Sequence, residues 1–195
     1  MSILYPNSLP KSVFVDDVEY SIRSEYYIVL EIIRIIGDTE LDEQTKMFFI
    51  LDLFFVDDVP EDLQLSYTAI INFIDKASWS NGYKRKYTDD TEVMSWEIDA
   101  PFIFASMKQA YPYWDWSNAH WWEFKACFDS LPDNAKINEI IKLRSMKITS
   151  DMSPDIKRDL LEVKKVYALP KKQQAEHKTA KQLEEELIER AKVGD

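Results

Sequence analysis

The sequence predicts a mainly α fold, a single-domain bundle of about six or seven helices with a small N-terminal β-hairpin and a polar C-terminal tail. Its 195 residues, 46% of them apolar, suit one domain with a sizeable core. Only three are glycine, the residue that tight turns use most, so helices are favoured over a hairpin-rich fold. Apolar residues also recur at helical spacing along most of the chain up to Pro170.

The N-terminal hairpin is predicted from two short β-prone runs. Val13-Phe14-Val15 and Val18-Glu19-Tyr20 flank Asp16-Asp17. Two acidic residues between such runs are typical of a turn. An isolated hairpin is marginally stable, so this one is expected to pack on the helices.

Three helices are predicted in the first half of the chain. The first carries apolar residues from Ile22 to Ile36 and ends at Gly37. The second covers 42–55, where the apolar residues are too dense for one narrow face, so we expect a deeply buried helix. The third covers 61–77, and the polar stretch 78–95, with the basic triplet Lys84-Arg85-Lys86, is predicted to be a loop with a solvated charge run.

Four more helices are predicted before residue 170. Asp99-Ala100-Pro101 favours a helix start, with aspartate as the cap and proline in the first turn, and Ser117 or Asn118 is expected to cap the next helix. The last two cover 135–147 and the stretch that begins at Ser153-Pro154-Asp155. The predicted organisation is a helical domain over 1–170 and a polar, weakly helical or disordered tail over 171–195.

Charge and composition argue against several classes of function. The formal net charge is −11, and residues 1–80 hold 15 acids against 5 bases. Such a surface repels phosphate backbones, so nucleic acid is not expected as a partner. No glycine-rich nucleotide loop is present, and no cofactor is expected. No apolar run is long enough to span a bilayer and no signal peptide is evident, so we expect no membrane association and a cytoplasmic protein.

Candidate catalytic and metal-binding residues are few. Cys127 is the only cysteine and is expected to be a small buried side chain. His120, Glu123 and Cys127 could share a helix face, but three such residues on one helix fall short of a carboxylate metal site. No serine–histidine–acid arrangement can be assigned. We therefore predict no catalytic, cofactor-binding or metal-binding residues and a protein that is not an enzyme.

The segment from Tyr111 to Phe124 is the most informative part of the chain. Seven of its 14 residues are aromatic, and it contains four of the six tryptophans. Aromatic rings are both core-forming side chains and binding anchors. On a helix, Trp121 and Phe124 share a face with Phe128 and are predicted to be core, whereas Trp122 points about 100° away. Core and partner-facing roles stay open for three candidate partner-binding residues, which are Trp114, Trp116 and Trp122.

Several segments resemble a known family. The stretch from His120-Trp121-Trp122-Glu123-Phe124-Lys125-Ala126 through Ser130-Leu131-Pro132-Asp133 to Arg144-Ser145-Met146-Lys147 is similar to the gene-product-fifteen family of tailed bacteriophages of Gram-positive hosts. Trp96-Glu97-Ile98-Asp99-Ala100 and Lys164-Lys165-Val166-Tyr167-Ala168-Leu169-Pro170 resemble the family's lead-in and ending. The chain departs from the family at two places. At Tyr113-Trp114-Asp115-Trp116, family members more often have smaller, Gly-Ile-like residues, and at Asp16-Asp17 they usually have Asp-Gly.

The resemblance implies a function in phage tail assembly. It implies a siphophage or prophage tail-module protein that acts as a chaperone for the tape-measure protein, with no enzymatic activity. The tail-tube protein is a further possible partner, and self-association is possible. The alternative that the resemblance leaves open is a structural minor tail component retained in the virion.

Overall fold

The computed structural model describes residues 9–77 and 93–170, and these form a mainly α fold, as predicted. One two-stranded antiparallel hairpin precedes seven helices within those residues. The elements are β1 (Ser12–Val15), β2 (Val18–Ser21), α1 (Tyr26–Ile36), α2 (Glu43–Phe54), α3 (Leu63–Lys76), α4 (Ala100–Ala110), α5 (Trp121–Asp129), α6 (Lys136–Ser145) and α7 (Pro154–Val166).

The predicted hairpin is confirmed. Its strands pair Val13 with Tyr20 and Val15 with Val18. Asp16 and Asp17 have φ angles of 49° and 61°, which is the double left-handed conformation of a two-residue hairpin turn. Aspartate tolerates that conformation better than most residues, which explains why the turn forms without glycine.

The first helix begins later than predicted. α1 starts at Tyr26, because Ile22 forms an antiparallel bridge with Phe55 instead of the first helical turn. The amide of the next residue, Arg23, donates to the carbonyl of Phe54 at 2.8 Å. The chain therefore stays extended after β2, and this extension ties the hairpin to the end of α2.

The guanidinium of Arg23 completes this junction. It donates to the carbonyl oxygens of Asp52 at 2.7 Å and Phe55 at 2.5 Å, and more distantly to those of Leu53 and Val56. The last carbonyls of a helix lack partners within the helix, and Arg23 supplies donors to them. A planar group with five N–H donors suits this cluster of acceptors.

Two of the helices begin at aspartates whose side chains cap them. The Asp42 carboxylate accepts from the Gln44 and Thr45 amides. Asp62 does the same for α3. α2 starts one residue and α3 two residues after the predicted starts.

The expectation that α2 is deeply buried is wrong. Only Ile50, Leu51 and Phe54 of this helix are buried, whereas Phe48 is 66% exposed and Phe49 is also exposed. The helix packs on α1 and α3, which cover one side of it. The density of apolar residues therefore reflects an uncovered apolar surface.

Two predicted caps in the second half differ from the structure. Asp99 occupies the position before α4, but its side chain makes no capping hydrogen bond; it binds Arg144 of α6. The expected cap of the next helix, Ser117 or Asn118, is wrong, because α5 starts at Trp121 and its cap is His120. Ser153 caps α7, as predicted.

The core joins both halves of the described chain. α1 packs against α2 and α5, while α4 packs against α5 and α6. The bundle buries large side chains from most elements, including Phe54, Ile70, Met107, Trp121, Phe124 and Ile140. No helix within the described residues is both long and apolar enough to cross a membrane. The predictions for Lys84-Arg85-Lys86 and for the tail 171–195 fall outside the described residues.

Candidate functional site

The loop half of the aromatic segment forms a ring stack at the surface of the bundle. Trp114 and Trp116 are stacked, with ring centroids 6.3 Å apart and planes 21° from parallel. Tyr111 meets the edge of Trp114 at 6.0 Å. Asp115 holds the turn between them by accepting from the hydroxyl of Ser117 at 2.8 Å and from its amide at 3.1 Å. These hydrogen bonds keep the pKa of the Asp115 carboxyl below its ordinary value.

Trp116 is the buried centre of this stack. Its ring lies 5.6 Å from Phe104 of α4, 5.6 Å from Phe124 of α5 and 5.8 Å from Tyr26 of α1. The ammonium of Lys108 lies 5.8 Å from the ring centroid, within range of a cation–π contact. Three helices thus converge on one indole, and only 8% of Trp116 is exposed.

Around Trp116, four aromatic side chains reach the surface. Tyr113 is fully exposed and Phe104 is 56% exposed, while Tyr27 is exposed and Trp114 is half-buried. Tyr27 connects to Trp116 through Tyr26, whose ring lies 5.7 Å away. We call these four residues, Tyr27, Phe104, Tyr113 and Trp114, the aromatic patch. Phe104 and Trp114 pack directly against Trp116, whereas Tyr113 is the sequence neighbour of Trp114.

The helical half of the segment is structural. Trp121 donates from its indole nitrogen to the carbonyl of Ile74 at 3.2 Å, and Trp122 donates to that of Phe73 at 2.9 Å. Both carbonyls lie in the last turn of α3, where a helix lacks internal donors. Two consecutive indoles therefore close the C-terminal end of another helix.

Trp122, for which the sequence left core and partner-facing roles open, is buried. Its ring stacks on Phe73 at 5.6 Å, and only 9% of the residue is exposed. The side chain does point away from Trp121, but the end of α3 covers that direction as well. Of the three candidate partner-binding residues, Trp116 and Trp122 are buried and Trp114 is half-buried. Trp121 and Phe124 are core, as predicted, and Phe128 packs partly buried against Trp96 at 4.8 Å.

His120 connects the start of α5 to the N-terminal segment. Its Nδ1 accepts from the Trp122 amide at 3.0 Å, which assigns the proton to Nε2, and Nε2 donates to the Pro10 carbonyl at 2.9 Å. Burial lowers the pKa of the imidazole, against smaller opposing effects of the Pro10 carbonyl and Glu25. Both nitrogens are thus occupied by structural hydrogen bonds.

Cys127 and Glu123, the other members of the weighed metal cluster, lie on the same helix. The Cys127 thiol is half-buried, and burial together with the charge of Glu123 raises its pKa. The part of the chain that the structure describes contains no group of three or more histidine, cysteine or acidic side chains that could hold a metal ion.

A family model for the Bacteriophage Gp15 protein matches residues 6–169. The chain belongs to the bacteriophage Gp15 family. The match covers the hairpin, all seven helices and the aromatic segment, and it confirms the resemblance seen in the sequence. No curated protein and no solved structure matches the chain.

Within this Gp15 family fold, the sequence segments that carry the resemblance have different structural roles. His120, Trp121 and Trp122 close α3 and begin α5, and Arg144 binds Asp99 at the start of α4. The exposed ring of Tyr113 and its neighbour Trp114 also lie within the matched residues. The segments that carry the resemblance therefore include residues that hold the fold together.

Of the four residues of the patch, only Trp114 was a candidate from the sequence, and Tyr113, although part of the aromatic run, was not. Phe104 and Tyr27 lie on α4 and α1, far from the aromatic run. A signal was present in α4, where Phe102 and Phe104 are two residues apart and cannot share one helix face. This spacing placed apolar rings on two different faces of α4.

Proposed function

We propose that this phage protein acts by binding rather than by catalysis, as a chaperone of the tape-measure protein during tail assembly in the host cytoplasm. The observation that carries the proposal is the aromatic patch, a set of exposed rings around the buried indole of Trp116. Such rings can engage apolar stripes of an unassembled helical protein. The family match supports a phage protein in general.

The charge of the chain supports the same role. An apolar binding surface promotes aggregation unless the rest of the protein is strongly charged. The net charge of −11 gives that protection. The patch contains few residues, so the contact of one copy with a long partner would be weak and reversible. Many copies bound along the same partner would strengthen the overall binding.

Co-expression with the tape-measure protein of the same phage tests the proposal. We expect the wild-type protein to raise the amount of soluble tape-measure protein and to co-purify with it. A Phe104→Ser/Tyr113→Ser variant should lose at least about tenfold of the co-purified partner, a change of about 1.4 kcal/mol or more. Phe14→Ser is the control, because Phe14 is also largely exposed but lies on β1, outside the aromatic patch.

The outcomes separate this role from others. If the tape-measure protein is neither solubilised nor co-purified, the chaperone proposal fails. If the control variant loses as much partner as the patch variant, the aromatic patch is not the binding surface. Mass spectrometry of purified phage particles separates the two roles. A chaperone should be depleted from the particles, whereas a minor tail component should be retained in them.

A further inference from the structure

The helix α2 exposes aromatic side chains that the described part of the chain leaves largely uncovered. Phe48 is 66% and Phe49 is 42% exposed, and their ring centroids lie 5.8 Å apart in an edge-to-face arrangement. The buried residues of the helix, Ile50, Leu51 and Phe54, occupy its opposite side, which packs on α1 and α3. α2 therefore presents a pair of phenylalanine rings on its outer side.

Carboxylates lie beside these rings. Asp52 follows Phe48 by four residues and Phe49 by three, so the helix places it one turn further along the same side. Asp57 and Asp58 come soon after the end of α2, and all three aspartates are exposed. Within residues 9–77 and 93–170, none of the three enters a salt bridge. We call Phe48, Phe49, Asp52, Asp57 and Asp58 the α2 surface.

Basic side chains near the α2 surface leave it negatively charged. Lys46, one turn before the rings, is paired with Glu43 at 2.8 Å. The guanidinium of Arg23 donates to main-chain carbonyls at the end of α2, so it offsets at most one of the three aspartates. Between Lys46 and Lys76 the sequence holds six acids and no lysine or arginine. The rings are therefore accompanied by a net negative charge.

This combination determines the chemistry of a partner. Adjacent exposed rings are anchors for the apolar side chains of another molecule. Carboxylates beside the rings favour lysine or arginine next to those apolar side chains, and they disfavour acids through like-charge repulsion. An amphipathic helix with basic residues along its apolar side supplies both features.

The helix α7 of a second copy does not have this chemistry. It also exposes apolar residues at helical spacing, Ile156 and Val163. Asp159 lies between them on the same side of the helix, and Asp155 adjoins Ile156. Docking through α7 would bring carboxylates against carboxylates, and two α2 surfaces would repel each other for the same reason. The charge pattern therefore favours a different protein as the partner.

We infer that the α2 surface binds a cationic amphipathic helix of another protein. The apolar side of that helix packs on Phe48 and Phe49, and its basic side chains approach Asp52, Asp57 and Asp58. The 12 residues of α2 measure about 18 Å, so a partner helix of three to four turns can lie along it. One helix on one surface is a small interface, so the dissociation constant should be on the order of micromolar.

Fluorescence anisotropy of a labelled model peptide with the full chain tests the inference. The lysine peptide has about 14 residues, with leucine at helical spacing on one side and lysine at all other positions. It should bind the wild type saturably, with a dissociation constant on the order of micromolar. The glutamate peptide keeps every leucine and replaces each lysine by glutamate. It should bind at least about tenfold more weakly.

Two variants locate the binding on α2. The ring variant, Phe48→Ser/Phe49→Ser, removes both anchors, and the charge variant, Asp57→Lys/Asp58→Lys, reverses two of the carboxylates. Each should weaken binding of the lysine peptide at least about tenfold. All four side chains are exposed, so both variants should keep the circular dichroism spectrum of the wild type.

Matched control variants carry the same kinds of change elsewhere. Phe14→Ser/Val166→Ser removes two apolar side chains that are at least as exposed as the rings. Glu97→Lys/Glu162→Lys changes the net charge as much as the charge variant does, at two exposed acids outside the α2 surface. Both control variants should bind the lysine peptide as the wild type does.

The inference does not rest on the chaperone proposal, because the α2 surface and the aromatic patch share no residue. The patch variant Phe104→Ser/Tyr113→Ser should therefore bind the lysine peptide as the wild type does. A wild type that fails to bind the peptide leaves the chaperone proposal intact. Conversely, failure to solubilise the tape-measure protein leaves the peptide result intact.

Four results would overturn the inference. The first is a wild type that does not bind the lysine peptide. The second is equal binding of the glutamate peptide, which would show that charge does not select the partner. The third is equal weakening by a control variant or by the patch variant, which would place the peptide elsewhere. The fourth is a ring variant that binds as the wild type does, which would reduce the contact to charge alone.

Discussion

Arg144 and Asp99 form a bidentate ion pair inside the bundle. The guanidinium donates from Nη1 to Oδ2 at 2.6 Å and from Nη2 to Oδ1 at 2.8 Å, and the Asp99 side chain is fully buried. The same guanidinium also donates to the carbonyls of Val93 and Tyr167. Burial opposes the charge on Asp99, but the hydrogen bonds from Arg144 and the Ser95 amide outweigh it and hold the carboxyl pKa below its ordinary value. One arginine thus joins the start of α4, the end of α6 and the segment after α7.

Loss of this arginine should strongly destabilise the fold. We expect Arg144→Met to lower the free energy of unfolding by about 3–5 kcal/mol, because it leaves a buried carboxylate without its counter-charge. Urea unfolding followed by circular dichroism measures the change. Lys142→Met, on the exposed side of the same helix, should stay within about 0.5 kcal/mol of the wild type.

The double variant Asp99→Leu/Arg144→Met sharpens this prediction. This variant removes both charges, so its free energy of unfolding should fall by less than that of Arg144→Met alone. A loss below about 1 kcal/mol for the single variant would show that the pair contributes little.

Trp122 should behave as a structural residue. Trp122→Phe removes the indole donor from the Phe73 carbonyl, and an unsatisfied buried carbonyl costs about 1–3 kcal/mol. Trp114→Phe is the matched control, since the Trp114 indole nitrogen makes no hydrogen bond within the described residues. Thermal and urea unfolding should show a clearly larger loss of stability for Trp122→Phe than for Trp114→Phe. Equal losses would contradict a role of the hydrogen bond.

His120 should make stability depend on pH in a definite direction. Its pKa is lowered in the folded protein, so between that value and about 6.5 the unfolded chain binds more protons. The free energy of unfolding should therefore be highest above about pH 6.5 and fall as the pH decreases below it.

The variant His120→Asn tests this linkage. Asparagine can cap α5 but does not titrate, so the decrease between about pH 7.5 and 5.5 should shrink. The wild type, measured over the same pH range, is the reference. An unchanged profile in His120→Asn would assign the pH dependence to other groups.

The sequence predicted the local features of the fold well. Turn residues such as Asp16 and Asp17, and helix starts such as Asp42 and Ser153, act through neighbouring backbone groups. The periodicity of apolar residues, together with start and cap residues for α4 and α5, located the seven described helices. Each of these signals lies within a few residues of the turn or helix that it determines. They can therefore be recognised in a single sequence.

Contacts between distant elements could not be predicted in the same way. Arg144, the partner of Asp99, lies 45 residues away in the sequence. The local sequence around Asp99 was equally consistent with a helix cap. Periodicity showed that Phe48 and Trp122 are apolar or aromatic, but it cannot show which neighbour covers them. Phe48 proved exposed, against expectation, and Trp122, whose role had stayed open, proved buried. The aromatic patch also drew two of its residues from helices outside the aromatic run.

The closure of α3 by Trp121 and Trp122 has a consequence for synthesis of the chain. The two donors follow their acceptors by 47 and 49 residues, so the ribosome makes the end of α3 well before its partners exist. At about 5–20 residues per second, that gap lasts roughly 2 to 10 s. The nascent N-terminal half cannot complete its core during this interval, and its apolar groups stay open to misassociation. Folding of this chain is thus tied to the emergence of its aromatic segment from the ribosome.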